Sequence, residues 1–240
     1  MSIITVKNLS FYYDEEDNPA IDDINLNIEP ETVNVILGPS GCGKTTLCRC
    51  LTGIIPRAVE GDLSGEIFYK GEDISEEKLN RISKKIGLVM QEPDNQIVAS
   101  TVEDDVAFGP ENMMTEPSII REIVDKNIYN MELTGYELLQ PNKLSGGEKQ
   151  RAIIAGILAL DPEVLVFDEP MSSLDHANKI NFIDAVKLVK NNKKTIIIVE
   201  HDFNRLSFAD NWIIMKHGKI LASGKLETID RDLLEADLWR

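Results

Sequence analysis

The chain has 240 residues, with 25 Lys and Arg against 41 Asp and Glu, a formal net charge of −16. That length and a hydrophobic content of 42% suffice for one large domain with a buried core and exclude a disordered or fibrous chain. The acidic balance argues against a protein that coats nucleic acid or an anionic membrane surface, because both tasks need clustered Lys and Arg.

The first residues, MSIITVKNLSFYYDEED, carry no basic segment followed by an apolar one and do not read as a secretory signal. They open on a β-type run at 3–6 and continue to Phe11-Tyr12-Tyr13. Nowhere does an apolar run reach the roughly 18 residues that span a bilayer. A continuous aliphatic run, VNVILG at 33–38, leads into Gly38-Pro-Ser-Gly-Cys-Gly43-Lys44-Thr45 and a helix-forming stretch over 44–52. The loop matches G-x-x-x-x-G-K-[ST] in the strand–loop–helix setting that this motif requires. Its glycines let successive N–H groups turn inward, so that Ser40, Gly41, Cys42, Gly43 and Thr46 surround phosphate oxygens, with the helix start adding positive potential. Lys44 then reaches the β- and γ-phosphates, and the Thr45 hydroxyl ligates Mg²⁺. Cys42, Cys48 and Cys50 are odd in number and lack C-x-x-C spacing, which points to a reduced, cytosolic compartment.

Strand-like runs follow at 65–69 and 86–90. The stretch 92–145 differs: it lacks strand-like runs, carries Pro93, Pro110, Pro117 and Pro141, and holds 3 basic against 11 acidic residues. Its net −8 is half the charge of the whole chain. It reads as a solvated helical face or as a docking surface for a basic partner. Helical patterns lie at 118–131, 146–160 and 177–190. Between the last two, VLVF (164–167) ends in Asp168-Glu169, two carboxylates at the C-terminal end of a buried strand, where open α/β sheets bind ligands. Asp168 suits Mg²⁺ through water, and Glu169 suits the general base for an attacking water. A similar strand, TIIIV (195–199), ends in Glu200-His201-Asp202, which places His201 as a γ-phosphate contact that senses nucleotide state. WIIMKHGKILASG reads as a hairpin turning at His217-Gly218. Aliphatic runs alternating with helices predict an α/β architecture with a mainly parallel sheet.

Leu144-Ser145-Gly146-Gly147-Glu148-Lys149-Gln150-Arg151 opens the 146–160 helix, where its Ser and glycines would present further amides to phosphate. This octet resembles the signature of the ATP-binding-cassette (ABC) ATPases. The order of phosphate loop, Gln91, signature, Asp168-Glu169, Ser173-Leu174-Asp175 and His201 matches that family over essentially the whole chain. The resemblance implies a single nucleotide-binding domain over 1–240. It would comprise a phosphate-loop (RecA-like) core, an N-terminal antiparallel β subdomain and a helical subdomain inserted at 92–145. It implies ATP and Mg²⁺ as ligands and a head-to-tail dimer with two ATP molecules at its interface. Ser145, Gly146 and Gly147 would act in trans, on the nucleotide of a second copy or paralogue. Lys44, Thr45, Gln91, Asp168, Glu169 and His201 would act in cis, with Gln91 joining Thr45 and Asp168 around the metal. Asp175 would communicate between the two sites. Tyr13 matches the position whose ring stacks on adenine, with Tyr12 as a rival.

Gln91-Glu-Pro-Asp-Asn-Gln96-Ile-Val, Thr101-Val-Glu-Asp-Asp105-Val-Ala-Phe-Gly-Pro110-Glu-Asn and Ile55-Pro-Arg-Ala-Val-Glu-Gly61 are similar to the ATPases of energy-coupling-factor importers for vitamins or for cobalt and nickel. That subfamily implies work at the cytoplasmic face of the cell membrane, a transmembrane coupling subunit docked on 92–145, and no nucleic-acid partner. The chain departs from the pattern at Pro170-Met171-Ser-Ser-Leu-Asp-His176 and at Glu31-Thr32, which affect loop geometry rather than a catalytic atom. It also stops at Arg240, sooner than most such ATPases, as a compact variant or half of a tandem polypeptide would. An ABC ATPase of another transporter class is the neighbouring alternative. A soluble ABC ATPase acting on ribosomes or nucleic acid would be expected to show tandem cassettes, coiled coils or a basic surface. A small-molecule kinase would leave the signature and His201 unexplained.

Overall fold

Two sheets and a set of helices build the molecule; the computed structural model describes residues 1–14, 16–91, 95–172, 174–201 and 206–229. Strands β1 (Ile4–Tyr13), β2 (Ile21–Ile28), β4 (Gly61–Tyr69) and β5 (Glu72–Asp73) form an antiparallel sheet in the order β2-β1-β4-β5. Strands β3 (Val33–Leu37), β6 (Ile86–Val89), β7 (Val164–Asp168), β8 (Thr195–Glu200), β9 (Asn211–Lys216) and β10 (Lys219–Gly224) form the second, in the order β10-β9-β3-β8-β7-β6. Every neighbouring pair of this sheet is parallel except β9 and β10.

The aliphatic runs are continuous because the parallel sheet is covered on both faces. Val33, Val35, Leu37, Leu165, Phe167, Ile196 and Ile198 pack on one side with helices α4 (Val102–Asn112), α5 (Pro117–Asn130), α6 (Gly146–Leu158) and α7 (His176–Asn191). Ile36, Val164, Val166, Ile197 and Val199 pack on the other, against α1 (Lys44–Leu51) and the antiparallel sheet. Short helices α2 (Ile54–Arg57) and α3 (Leu79–Ile82) fill the crossing from α1 to β6. The parallel strands thus deliver the ends of β3, β7 and β8 to one edge, the crevice where such sheets bind ligands.

The predicted α/β class, parallel core and antiparallel sheet are all present. The hairpin turn falls at His217 (φ 48°) and Gly218 (φ 75°), two successive left-handed residues as a two-residue turn between twisted strands demands. Among the elements that were not anticipated, β2 and α4 are the longest. In β2, buried Ile21, Ile24, Leu26 and Ile28 are separated by exposed or half-exposed polar residues, so no aliphatic run announces it. In α4, Glu103, Asp104 and Asp105 crowd the first turn and Pro110 sits near the end, which hides the buried Val102, Val106 and Ala107 stripe. Those three acids complement the helix macrodipole, and Thr101 caps the helix by accepting from the Asp104 N–H at 3.2 Å. Glu92, Pro93 and Asp94, at the start of the anticipated helical subdomain, lie outside the described residues. Among the described residues no helix is long and apolar enough to cross a membrane.

A phosphate cradle at the strand ends

The loop from Gly38 to Gly43 carries the chain from β3 into α1. Gly43 has φ 104°, and a side chain there would run into the Ala20 carbonyl oxygen. A side chain at Gly38 would likewise collide with the Met215 carbonyl. These two positions must be glycine for steric reasons alone. Helix α1 starts with no side-chain cap, so its first amides remain for another acceptor. Lys44 is only 3% exposed, and its ammonium donates to the carbonyls of Gly38 (2.9 Å) and Pro39 (3.0 Å), holding the loop open. The resulting cavity of about 390 Å³ is lined by Ser40, Gly41, Lys44, Thr45, Gln91 and Glu169, with Tyr13 at its side. The Tyr13 hydroxyl lies 3.0 Å from Thr46 Oγ1 and its ring packs edge-on against Phe11, whereas Tyr12 is exposed.

Opposite the loop, β7 and β8 supply the acids. Asp168 accepts from the Thr45 hydroxyl at 3.0 Å; burial pushes its carboxyl up, and the Thr45 bond pulls the other way. Glu169 follows in a left-handed conformation (φ 47°), with Oε1 3.5 Å from the Lys44 ammonium and Oε2 3.5 Å from Gln91 Nε2. Gln91 Nε2 is also 3.4 Å from Ser172 Oγ. Among the described residues no group of three His, Cys, Asp or Glu side chains could hold a metal. A hydroxyl, a carboxylate and a nearby amide instead suit Mg²⁺, which keeps water and substrate phosphate oxygens in its shell. The donor set and the glycine cradle therefore fit a Mg²⁺–nucleotide. Cys42, Cys48 and Cys50 are free and buried, and burial pushes all three thiols up, Cys50 to about 12.

His201 does not line the cavity. Its Nδ1 is 3.7 Å from Glu200, a fully buried carboxylate that also accepts from the N–H groups of Met171 (2.9 Å) and His201 (3.3 Å). Burial pushes the Glu200 carboxyl up, partly offset by those two N–H bonds. Asp175 caps α7 by accepting from Asn178 N–H at 2.8 Å. Ser173 and Asp202 lie outside the described residues.

Ser145, Gly146 and Gly147 stand apart from this cavity, at the start of α6. Ser145 and Glu148 form a capping box: Ser145 N–H donates to the Glu148 carboxylate at 2.8 Å, and Glu148 N–H donates to Ser145 Oγ. Gly147 donates its N–H to Asn178 Oδ1 at 3.1 Å, and buried Gln150 donates to the Pro170 carbonyl at 3.1 Å. Sequence reasoning assigned no role to Glu200, Gln150 or Asn178. Only Glu200 carried a signal, as an acid closing a wholly buried strand.

Residues 21–172 match the family model described as ABC transporter. The chain is 40% identical over 224 residues to the energy-coupling factor transporter ATP-binding protein EcfA1 of Mycoplasmopsis pulmonis, covering 93% of this chain and 83% of that one. It is 39% identical over 237 residues to a putative ABC transporter ATP-binding protein of Caldanaerobacter subterraneus, covering 98% of this chain but only 41% of the relative. The chain thus spans most of the first relative and about two-fifths of the second. Its fold superposes with a TM-score of 0.85, at 31% identity over 98% of this chain and 92% of the other, on cbiO1 of Clostridium perfringens, part of the ABC transporter complex cbiONQ.

Proposed function

The chain belongs to the ABC transporter family, and on that premise we propose that it is the ATP-hydrolysing subunit that powers an energy-coupling-factor-type importer of vitamins or of ions such as cobalt or nickel. The relatives named above support the class of transporter. The observation that carries the ATPase reading is the meeting of Lys44, Thr45 and Glu169 around one cavity at the sheet's C-terminal edge, with Asp168 hydrogen-bonded to Thr45. Lys44 and the loop amides orient the β- and γ-phosphates. Thr45, Asp168 and Gln91 hold Mg²⁺, which when bound offsets the charge developing on the phosphates. Glu169 takes the proton of the attacking water. His201, held through Glu200, reports on the γ-phosphate, and the Tyr13 ring supports adenine. The net charge of −16 is no obstacle, because backbone amides, one buried lysine and the metal hold the polyanion without a basic patch.

The chain acts as one nucleotide-binding domain, with 92–145 as its helical subdomain, and pairs head to tail with a second copy or paralogue. In that pair Ser145, Gly146 and Gly147 cover the partner's ATP, and Asp175 lies between the two sites. The membrane subunit docks at the cytoplasmic face on a cleft of about 320 Å³ between β6, α4 and α6. Leu88, Val98, Phe108, Ile153 and Ile157 give this cleft an apolar floor, while Gln96 and Asp105 supply polar edges. Exposed Phe108 and Val98 within the −8 segment suit a partner helix that is apolar on one face and basic at its rim.

Glu169→Gln tests the mechanism. It should bind ATP and form ATP-dependent dimers while hydrolysis falls by about 10²–10⁴-fold, the usual worth of a general base. Normal turnover by this variant would remove Glu169 from its role. Affinity purification from detergent-solubilised membranes tests the transport reading: integral membrane proteins should accompany the chain, whereas ribosomes or nucleic acid in their place would overturn it.

A further inference from the structure

The start of α6 is covered unevenly. Ser145 and Gly146 are exposed, but Gly147 is buried. A methyl group placed on Gly147 would come within 3.0 Å of both Asn178 Oδ1 and Asn181 Nδ2, so these side chains roof it. The Gly147 N–H itself is taken by Asn178 Oδ1 at 3.1 Å. Asn178 is steady in this position because its own backbone N–H is tied to Asp175 at 2.8 Å. A phosphate approaching the signature therefore meets an exposed Gly146 between two occupied donors, the Ser145 N–H held by its own helix's Glu148 and the Gly147 N–H held by Asn178 from α7.

The geometry points to Asn178 as a residue that sets the affinity of nucleotide-driven pairing: its amide oxygen occupies the Gly147 N–H that the second copy's γ-phosphate must claim. The inference rests on the proposed role of the signature in trans. An N–H serves one acceptor at full strength. A charged phosphate oxygen makes roughly twice as strong a bond as a neutral amide oxygen, so the nucleotide displaces Asn178. The displaced bond is subtracted from the pairing free energy all the same. Asn178 thereby keeps the signature satisfied in the lone subunit and raises the ATP concentration at which two subunits close.

The test uses the Glu169→Gln chain, in which ATP-bound dimers are expected to persist. Sedimentation at fixed protein concentration gives the ATP level that half-saturates dimer formation, and nucleotide binding to dilute monomer gives the affinity of the cis site alone. Adding Asn178→Ala should lower the half-saturating ATP about two- to tenfold, the span of one neutral hydrogen bond, and leave the monomer's affinity unchanged. Asn178→Asp keeps an acceptor and adds negative charge facing the phosphate, so it should raise the half-saturating level. Asn178→Ser carries the same expectation as alanine should the latter fold poorly. An unchanged or raised half-saturating level for Asn178→Ala or Asn178→Ser overturns the inference. Ser145→Arg separates the two layers. If it abolishes dimers while Asn178→Ala changes nothing, only the role of Asn178 falls. If Ser145→Arg dimerises normally, or the Glu169→Gln chain forms no ATP-dependent dimer, the reading in trans on a second copy falls and the inference with it.

Discussion

The phosphate loop and the signature are both glycine-bearing turns that open a helix, yet they are finished in opposite ways. Helix α1 begins at left-handed Gly43 with no side-chain cap, and its lysine is buried and turned back on the loop's own carbonyls. Helix α6 begins with a complete capping box and a side chain bonded to its second glycine. A helix end without a cap leaves donors for an acceptor, and on the proposed function the nucleotide's phosphates would be that acceptor at α1. A helix end that is already capped is stable alone and can wait for a partner. The loop is thus left open at its helix start, whereas the signature is already satisfied within its own subunit.

The strongest way to break this contrast is to remove the buried ammonium. Lys44→Met should lower kcat/KM for ATP by about 10²-fold or more, the scale for losing a preorganised charge at a reacting phosphate, and should abolish the rise in Tm that saturating ATP gives the parent. The corresponding change at the signature, Ser145→Arg, should leave that monomer Tm rise intact. Equal loss of the nucleotide-induced Tm rise in both would erase the distinction between the two helix starts. The distinction was legible in part. G-x-x-x-x-G-K-[ST] after an aliphatic run marks the loop by steric necessity, since Gly43 and Gly38 admit no side chain, and VLVF before Asp168-Glu169 marks the opposite wall. The links between elements were not legible. Gln150 to Pro170, Asn178 to Gly147 and Glu200 to Met171 join residues 20, 31 and 29 positions apart through hydrogen bonds that no periodicity encodes. Helix α4 escaped notice for a related reason: its acids answer to the helix dipole and the surface, not to the apolar period that sequence reading follows.

Of those links, Glu200 carries the largest expected cost to stability. Its carboxylate is 1% exposed and is the partner of the Met171 N–H, at the bend that follows Glu169. Glu200→Ala leaves that N–H without a partner, which costs about 1–3 kcal/mol and should appear as a lower urea midpoint with unchanged slope. Glu200→Gln keeps an oxygen for Met171 but sets an amide NH₂ against the His201 N–H, so it should lose less. Because the same group steadies His201, both variants should lower kcat more than they raise KM. A variant with full stability and full turnover would show that the β8 terminus holds the catalytic bend without this contact.

The smallest expected effect probes the capped end directly. Glu148→Ala removes one arm of the box on α6 and should cost about 0.5–1 kcal/mol of global stability, at the lower end of the capping range. The pH dependence has a definite sign. Hydrogen bonds from Ser145, its backbone N–H first, hold the Glu148 carboxyl below the ordinary glutamate range. A lowered folded-state pKa means stabilisation that is present above the unfolded value and lost as the pH falls through the folded one. The difference between Glu148→Ala and the parent should therefore be full at neutral pH and shrink on acidification below the ordinary glutamate range, measured by urea unfolding across that interval. At the phosphate loop, where no acid side chain caps α1, no comparable acid-labile increment is expected. A gap that stayed constant with pH would mean that the ionised Glu148 does not cap α6, and the contrast between the two helix starts would then rest on Ser145 and Asn178 alone.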